Sequence, residues 1–196
     1  MERPNDVAAV VLAAGESRRF GSPKQLALLD GRTLLEHVLE AARSAGLRPV
    51  VAVVPVWLTR PAAATDPGLT WVRNPAPERG MSHSLRLGLA ALPPEVEAAV
   101  VLLGDEPRVP PSHLRALVAA RGPHPFVATR VDGLLVPPLL IERSHFAVAL
   151  RVSGDIGLRD LVRGAPELVA SVPVPSVLDV DTPDDLAPDK QDVTRR

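Results

Sequence analysis

Two apolar rhythms alternate along the chain. Residues 7–13 form a continuous run of β-branched and small apolar side chains, the pattern of a strand covered on both faces. Residues 33–45 instead place apolar side chains at 34, 35, 38, 39, 41, 42 and 45, the spacing of one helical face, with Gly46 as the stop. The same reading predicts strands at 50–54, 69–72, 98–103, 126–131 and 134–141, the last interrupted by Pro137 and Pro138, and a late strand at 168–174. Helices are predicted at 81–92 and at 111–121, where Pro111 takes the first position. Shorter ones are expected at 144–150 and 158–162, with a helical turn at 183–187. Residues 56–68, rich in Pro and Ala, follow neither rhythm. Strands alternating with helices predict a single three-layer α/β/α domain around a mostly parallel sheet. That domain is expected over residues 1–188, with 189–196 as a frayed tail.

Composition narrows the function classes. The 196 residues suffice for one such domain with a sizeable core. Net charge is −1, from 22 basic and 23 acidic residues, so the basic excess of a nucleic-acid-binding domain is missing. The absence of cysteine removes disulfides, thiolate zinc sites and a cysteine nucleophile, and agrees with an expected cytoplasmic location. No apolar run reaches the roughly 18 residues of a membrane helix. The run at 7–14 resembles a signal-peptide core, but Glu2 and Asp6 precede it and only Arg3 is basic, so a buried strand fits better. The prolines are spread along the chain and mark no linker. Lysine occurs only at Lys24 and Lys190, which makes Lys24 conspicuous.

Open parallel sheets bind ligands beyond the carboxyl ends of their strands. Two polar constellations follow such ends. The first, GESRRFGSPK over 15–24, combines glycines with Ser17, Arg18, Arg19 and Lys24. Glycine lets a backbone approach a ligand closely, and Arg and Lys bind phosphate. The segment matches neither the Walker loop nor GxGxxG, and also reads as a solvated basic loop. The second, Gly104-Asp105-Glu106-Pro107, reads equally as a tight turn or as a carboxylate placed to hold Mg²⁺. A third cluster, Asn74-Pro75 with residues 80–84, reads as a loop before an N-capped helix, or as a helix N-terminus facing an anion or a base. Residues 179–186 carry four carboxylates that either cap a short turn or attract a cation, and residues 154–157 form a tight turn or a substrate loop. His37 and His113 sit in helix patterns and need no function, no His pair has metal-ligand spacing, and no nucleophile elbow exists.

Taken in order, these segments resemble the MobA/MocA-like nucleotidyltransferases. LAAGESRRFGSPKQL (12–26) is similar to the family's LAAGxSxRxGxxK signature, and NPAPERGMSHSLRLGL (74–89) to its N…GMxxSLxxGL segment. GDEP (104–107), SGDIGLRDL (153–161) and DVDTPDDL (179–186) are similar to GDxP, GDxGxR and DIDTPxDL. The resemblance implies a Rossmann-like nucleotidyltransferase fold and transfer of a nucleotide to molybdopterin with release of pyrophosphate. It assigns Leu12, Ala13, Ala14, Gly15, Gly21 and Lys24 to the nucleotide loop, with Arg19 and Lys24 on the triphosphate. Asn74, Ser82, Ser84 and Gly88 match the segment beside nucleotide and acceptor. Asp105 matches the Mg²⁺ ligand and Asp181 the position of a second metal carboxylate, while Asp155, Pro137 and Pro138 fall where the acceptor would lie. The cytidylyl-transferring branch carries LAAG and the guanylyl-transferring branch LAGG, so Ala14 points to CTP rather than GTP. The implied acceptor is molybdopterin, and a molybdenum hydroxylase is the implied client.

Val136 stands where relatives carry a small residue, which bears on acceptor recognition. A cytidylyltransferase of the isoprenoid pathway shares the PKQ ending of the first loop, but the GMSHSL and GDEP segments argue against it. A non-catalytic carrier of molybdenum cofactor would keep the fold and lose metal ligands. Lys24, Arg19, Asp105 and Asp181 are all present, which favours the enzyme.

Overall fold

The computed structural model of the chain describes residues 6–15, 23–60, 67–150 and 162–174. In chain order the strands are β1 (Val7–Leu12), β2 (Leu28–Leu29), β3 (Arg32–Thr33), β4 (Val50–Pro55), β5 (Leu69–Asn74), β6 (Ala98–Leu103), β7 (Phe126–Val131), β8 (Leu134–Glu142) and β9 (Val169–Pro173). The α-helices are α1 (Leu34–Ser44), α2 (Met81–Ala90), α3 (Pro111–Ala119) and α4 (Phe146–Ala149).

Seven strands form one sheet in the order β5-β4-β1-β6-β8-β7-β9. β1 pairs in parallel with β4 on one side and β6 on the other. All six of its side chains are buried, which explains its unbroken apolar run. Within this sheet only β8 runs against the others among the described strands. Leu35 and Val38 of α1 and Leu114 and Leu117 of α3 cover one face, over Val7, Ala9 and Val11. Leu85 and Leu89 of α2, with Phe146 and Ala149 of α4, cover the other, over Ala8, Val10 and Leu12. The result is the mostly parallel, three-layer α/β arrangement that the sequence pattern predicts, in the Rossmann-like form that the resemblance implies.

α1 starts where its capping box dictates. The Thr33 hydroxyl accepts from the Glu36 N–H at 3.2 Å, and the Glu36 carboxylate accepts from the Thr33 N–H at 2.8 Å. Two Asp-Gly pairs set tight hairpins: Asp30-Gly31 joins β2 to β3, and Asp132-Gly133 joins β7 to β8. All four residues have positive φ, which the two-residue hairpin turn demands and glycine tolerates best.

Some boundaries differ from the sequence reading. Pro137 and Pro138 do not interrupt β8. Ala128 pairs with Leu139 and Thr129 with Val136, so the two prolines bulge between consecutive pairs, where no N–H is required of them. The helix expected over 144–150 divides into a 3₁₀ turn (Arg143–His145) and α4. α2 and α3 each end two residues early, at Ala90 and Ala119. The expectations for 158–161, for 183–187 and for the tail lie outside the described residues.

Candidate functional site

From β1 the chain steps to β4 and β5 on one side, then returns to lay β6 on the other. The strand order therefore reverses at β1, and the crevice beyond its carboxyl end is where a doubly wound sheet binds ligands. There the exits of β1 and β6 are locked together. Leu12 is level with Leu103, and the Gly104 N–H donates to the Leu12 carbonyl at 2.9 Å. A Cβ on Gly104 would lie 2.7 Å from the Ala13 Cβ, so only glycine lets the two exits touch.

That contact sets Asp105 beside the segment returning to the sheet at Lys24. Lys24 opens a 3₁₀ turn (Lys24–Leu26), and its Nζ donates to Asp105 Oδ2 at 2.9 Å across 81 residues of sequence. The lysine is buried, whereas the aspartate side chain is 36% exposed. A buried ammonium is thus held against a carboxylate open to solvent, at the switch point of the sheet. Gln25, also buried, donates from Nε2 to the Ala13 carbonyl at 2.8 Å and to the Gly15 carbonyl at 2.7 Å.

The other residues singled out from sequence divide by role. Leu12, Ala13 and Ala14 are buried and Gly15 is exposed. Asn74, fully buried at the end of β5, donates from Nδ2 to Ser84 Oγ at 3.0 Å and accepts from the Ala76 N–H at 2.9 Å. It pins the exit of β5 to the first turn of α2, where Ser82 and Ser84 are both buried. Because α2 follows β5 and runs back toward β6, its N-terminus belongs to the same carboxyl edge as Lys24 and Asp105. Gly88 lies farther down α2, and its missing side chain lets the helix press on Val10 and Val53. β8 pairs with β6 only as far as Val101 and Leu139, so Pro137 and Pro138 flank the exit of β6 on the other side of Asp105. Arg19, Gly21, Asp155 and Asp181 lie outside the described residues.

The sequence reading missed three supports of this edge. Gln25 is one, and the contact role of Gly104, which the sequence reading names only as part of a turn, is another. The third is a buried chain of hydrogen bonds behind the diproline. The Thr129 hydroxyl donates to the Pro138 carbonyl at 2.9 Å, so its oxygen must accept from His113 Nε2 at 2.8 Å. Burial pushes the His113 imidazole below its ordinary pKa and so favours the neutral ring, whose Nε2–H tautomer makes this bond. Nothing in a helical pattern marks such a histidine. The residue it touches lies on a strand distant in sequence, β7.

Among the described residues, no group of three or more His, Asp or Glu gathers as a metal cage. None of their helices is long and apolar enough to cross a membrane.

Comparison with known proteins agrees with this geometry. The model of the MobA-like NTP transferase domain matches residues 9–171. The chain is 30% identical to the purine catabolism protein PucB of Bacillus subtilis (strain 168) over 189 residues, covering 90% of this chain and 92% of that protein. Among solved structures it is similar to Rv0371c of Mycobacterium tuberculosis H37Rv, with 31% identity and a TM-score of 0.81 over 93% of this chain and 96% of that one. A second structure of Rv0371c, described as a complex with manganese, gives 29% identity and a TM-score of 0.75 over 93% of this chain and 96% of that one.

Proposed function

The chain belongs to the MobA-like NTP transferase family, and on that premise we propose that it transfers CMP from CTP to the terminal phosphate of molybdopterin, releasing pyrophosphate. The observation that carries the reading is the Lys24–Asp105 pair at the switch point of the sheet. A triphosphate and its metal need one cation and one carboxylate at a common edge, and these two side chains supply them.

Asp105 fits a Mg²⁺ ligand. Mg²⁺ keeps several waters and takes only one or two protein carboxylates beside the substrate phosphates, which suits one partly exposed carboxylate better than a cage. When bound, the ion supplies positive charge to the phosphate oxygens. Asp181 is the proposed second carboxylate. The protein's own part is position and charge. Lys24 neutralises charge that grows on the phosphates during transfer, and its burial strengthens that effect. Arg19 is proposed to share this role, with Gly15 and Gly21 giving backbone access. The acceptor phosphate needs no activation by a protein nucleophile, because holding it in line with the α-phosphorus is the principal demand. Pro137, Pro138 and Asp155 are the proposed acceptor contacts.

Ala14 supports the choice of base. Its methyl belongs to the apolar layer shared with Leu85 of α2, on the side where Ser82 and Ser84 begin the helix. A methyl there narrows the space beside a base and suits the smaller pyrimidine. The product would pass to a molybdenum hydroxylase.

The test is turnover with molybdenum cofactor, Mg²⁺ and an equimolar mixture of CTP, GTP, ATP and UTP, with products identified by mass spectrometry. The expected product is the cytosine dinucleotide, and Lys24→Ala or Asp105→Asn should lower its rate by about 10²–10³-fold. A guanine dinucleotide would overturn the argument from Ala14 alone. Absence of any dinucleotide from a chain that still restores a client hydroxylase would replace the enzyme with a carrier.

A further inference from the structure

We propose that Gln25 is the positioning residue of the nucleotide site: its carboxamide fixes the backbone that delivers Lys24 to Asp105. The proposal rests on the nucleotide reading of that pair.

Where β1 ends, its ladder to β4 and β6 ends too, and the carbonyls of Ala13 and Gly15 need other donors. Gln25 provides both from one nitrogen, at 2.8 and 2.7 Å. Two carbonyls can only accept, so the NH₂ group must face them and the amide orientation is settled by chemistry. Its Oε1 is consequently turned into buried surroundings, where it finds no hydrogen-bond partner among the described residues. A buried acceptor without a partner is costly. A leucine of similar size would avoid that cost but would strand two carbonyls. Glutamate would set oxygen against oxygen, and asparagine falls one methylene short. The side chain is therefore explained by its two donors, and those donors hold the exit of β1.

Gln25 is also the residue next to Lys24, in the same 3₁₀ turn. Tying residue 25 to residues 13 and 15 fixes where the lysine leaves the backbone. The lysine must then span from that fixed point to Asp105 at the exit of β6. Loss of the tie leaves the ammonium present but out of place, and an ångström of misplacement is enough to weaken a charge site severely.

The test is a double-mutant cycle on the full chain, reading the Kd for CTP with Mg²⁺ by calorimetry beside the Tm of each variant. Gln25→Leu should weaken CTP binding about tenfold in the wild-type background and less than twofold in the Lys24→Ala background, because a residue acting through Lys24 has nothing left to position. A second variant covers failure of the first to fold. Gln25→Glu should bind weakly at pH 8 and regain affinity relative to wild type as the pH falls toward 5, when its protonated carboxyl can donate one hydrogen bond. Equal losses in both backgrounds, or a lower Tm with unchanged Kd, would overturn the positioning role. So would a Gln25→Glu variant whose affinity follows the wild-type pH profile. A wild-type chain that binds none of the four nucleoside triphosphates would instead remove the nucleotide reading, and this proposal with it.

Discussion

Replacing Gly88 by alanine tests whether α2 is as tightly seated as the geometry states. The added Cβ would meet Val10 Cγ1 at 2.4 Å and Val53 Cγ2 at 3.1 Å. Carbon atoms rest about 3.5–4.0 Å apart, so the nearer contact must open by roughly 1.1 Å or more. Neither valine has room to yield, since both are fully buried and β-branched residues are stiff at χ1. Overpacking of this kind costs about 1–3 kcal/mol. Alanine offsets it by up to about 1 kcal/mol through its better helix propensity. A contact as short as 2.4 Å belongs to the upper half of the overpacking cost, about 2–3 kcal/mol, so the net expectation is a loss of about 1–2 kcal/mol, or about 2–8 °C in Tm for a chain of this size. Thermal and urea unfolding followed by circular dichroism would read it. Trimming the obstacle should help: Gly88→Ala combined with Val10→Ala should be less destabilised than the sum of the two single changes, with a coupling of at least about 0.5 kcal/mol. The change should also be felt at the active edge, since Ser82 lies about 9 Å up the helix from Gly88 at 1.5 Å per residue. A helix lifted by an ångström carries Ser84 away from Asn74, so on the proposed nucleotide reading CTP affinity should fall together with Tm. A Gly88→Ala protein as stable as wild type, or an additive double mutant, would refute the tight seating of α2.

Two further predictions concern stability. His113 titrates below its ordinary 6.5 because it is buried, so the unfolded chain takes up its proton first as the pH falls. Its contribution is therefore intact above about 6.5 and is lost progressively below it. His113→Gln, which can still donate to Thr129, should show a shallower fall in urea midpoint between pH 7 and 5 than wild type, and parallel profiles would disprove the assignment. Thr33→Ala should remove the capping box of α1, costing about 1 kcal/mol. The Glu36 carboxyl, held low chiefly by the Thr33 backbone N–H and then by its hydroxyl, should titrate higher in that variant by NMR. An unchanged Tm and an unchanged Glu36 titration would show that the cap contributes nothing.

The sequence by itself determined most of the strands and helices, though not the β2–β3 hairpin, and where the proposed chemistry begins. β1, β4 and β6 are unbroken apolar runs because both faces of each are covered, and local pattern reports that burial directly. Lys24 and Asp105 stand out because a parallel sheet exposes its ligands at strand exits. Local pattern failed at the diproline, where the partner strand decides whether a missing N–H matters. β7 lets Pro137 and Pro138 bulge between paired residues, so β8 survives them. The reversed direction of β8 follows from the Asp132-Gly133 hairpin, a local turn signal that strand periodicity does not weigh, and from its pairing with β7. Only the tertiary structure decided that Gly88 is a seat for α2 against Val10 and Val53, and that Gly104 is a contact point for Ala13. The same holds for His113 bracing Pro138 through Thr129, and for Gln25 tying off the end of β1. Each joins residues from different elements. Periodicity and composition describe one element at a time, whereas a close approach or a donor meeting an acceptor exists only once two elements are packed together.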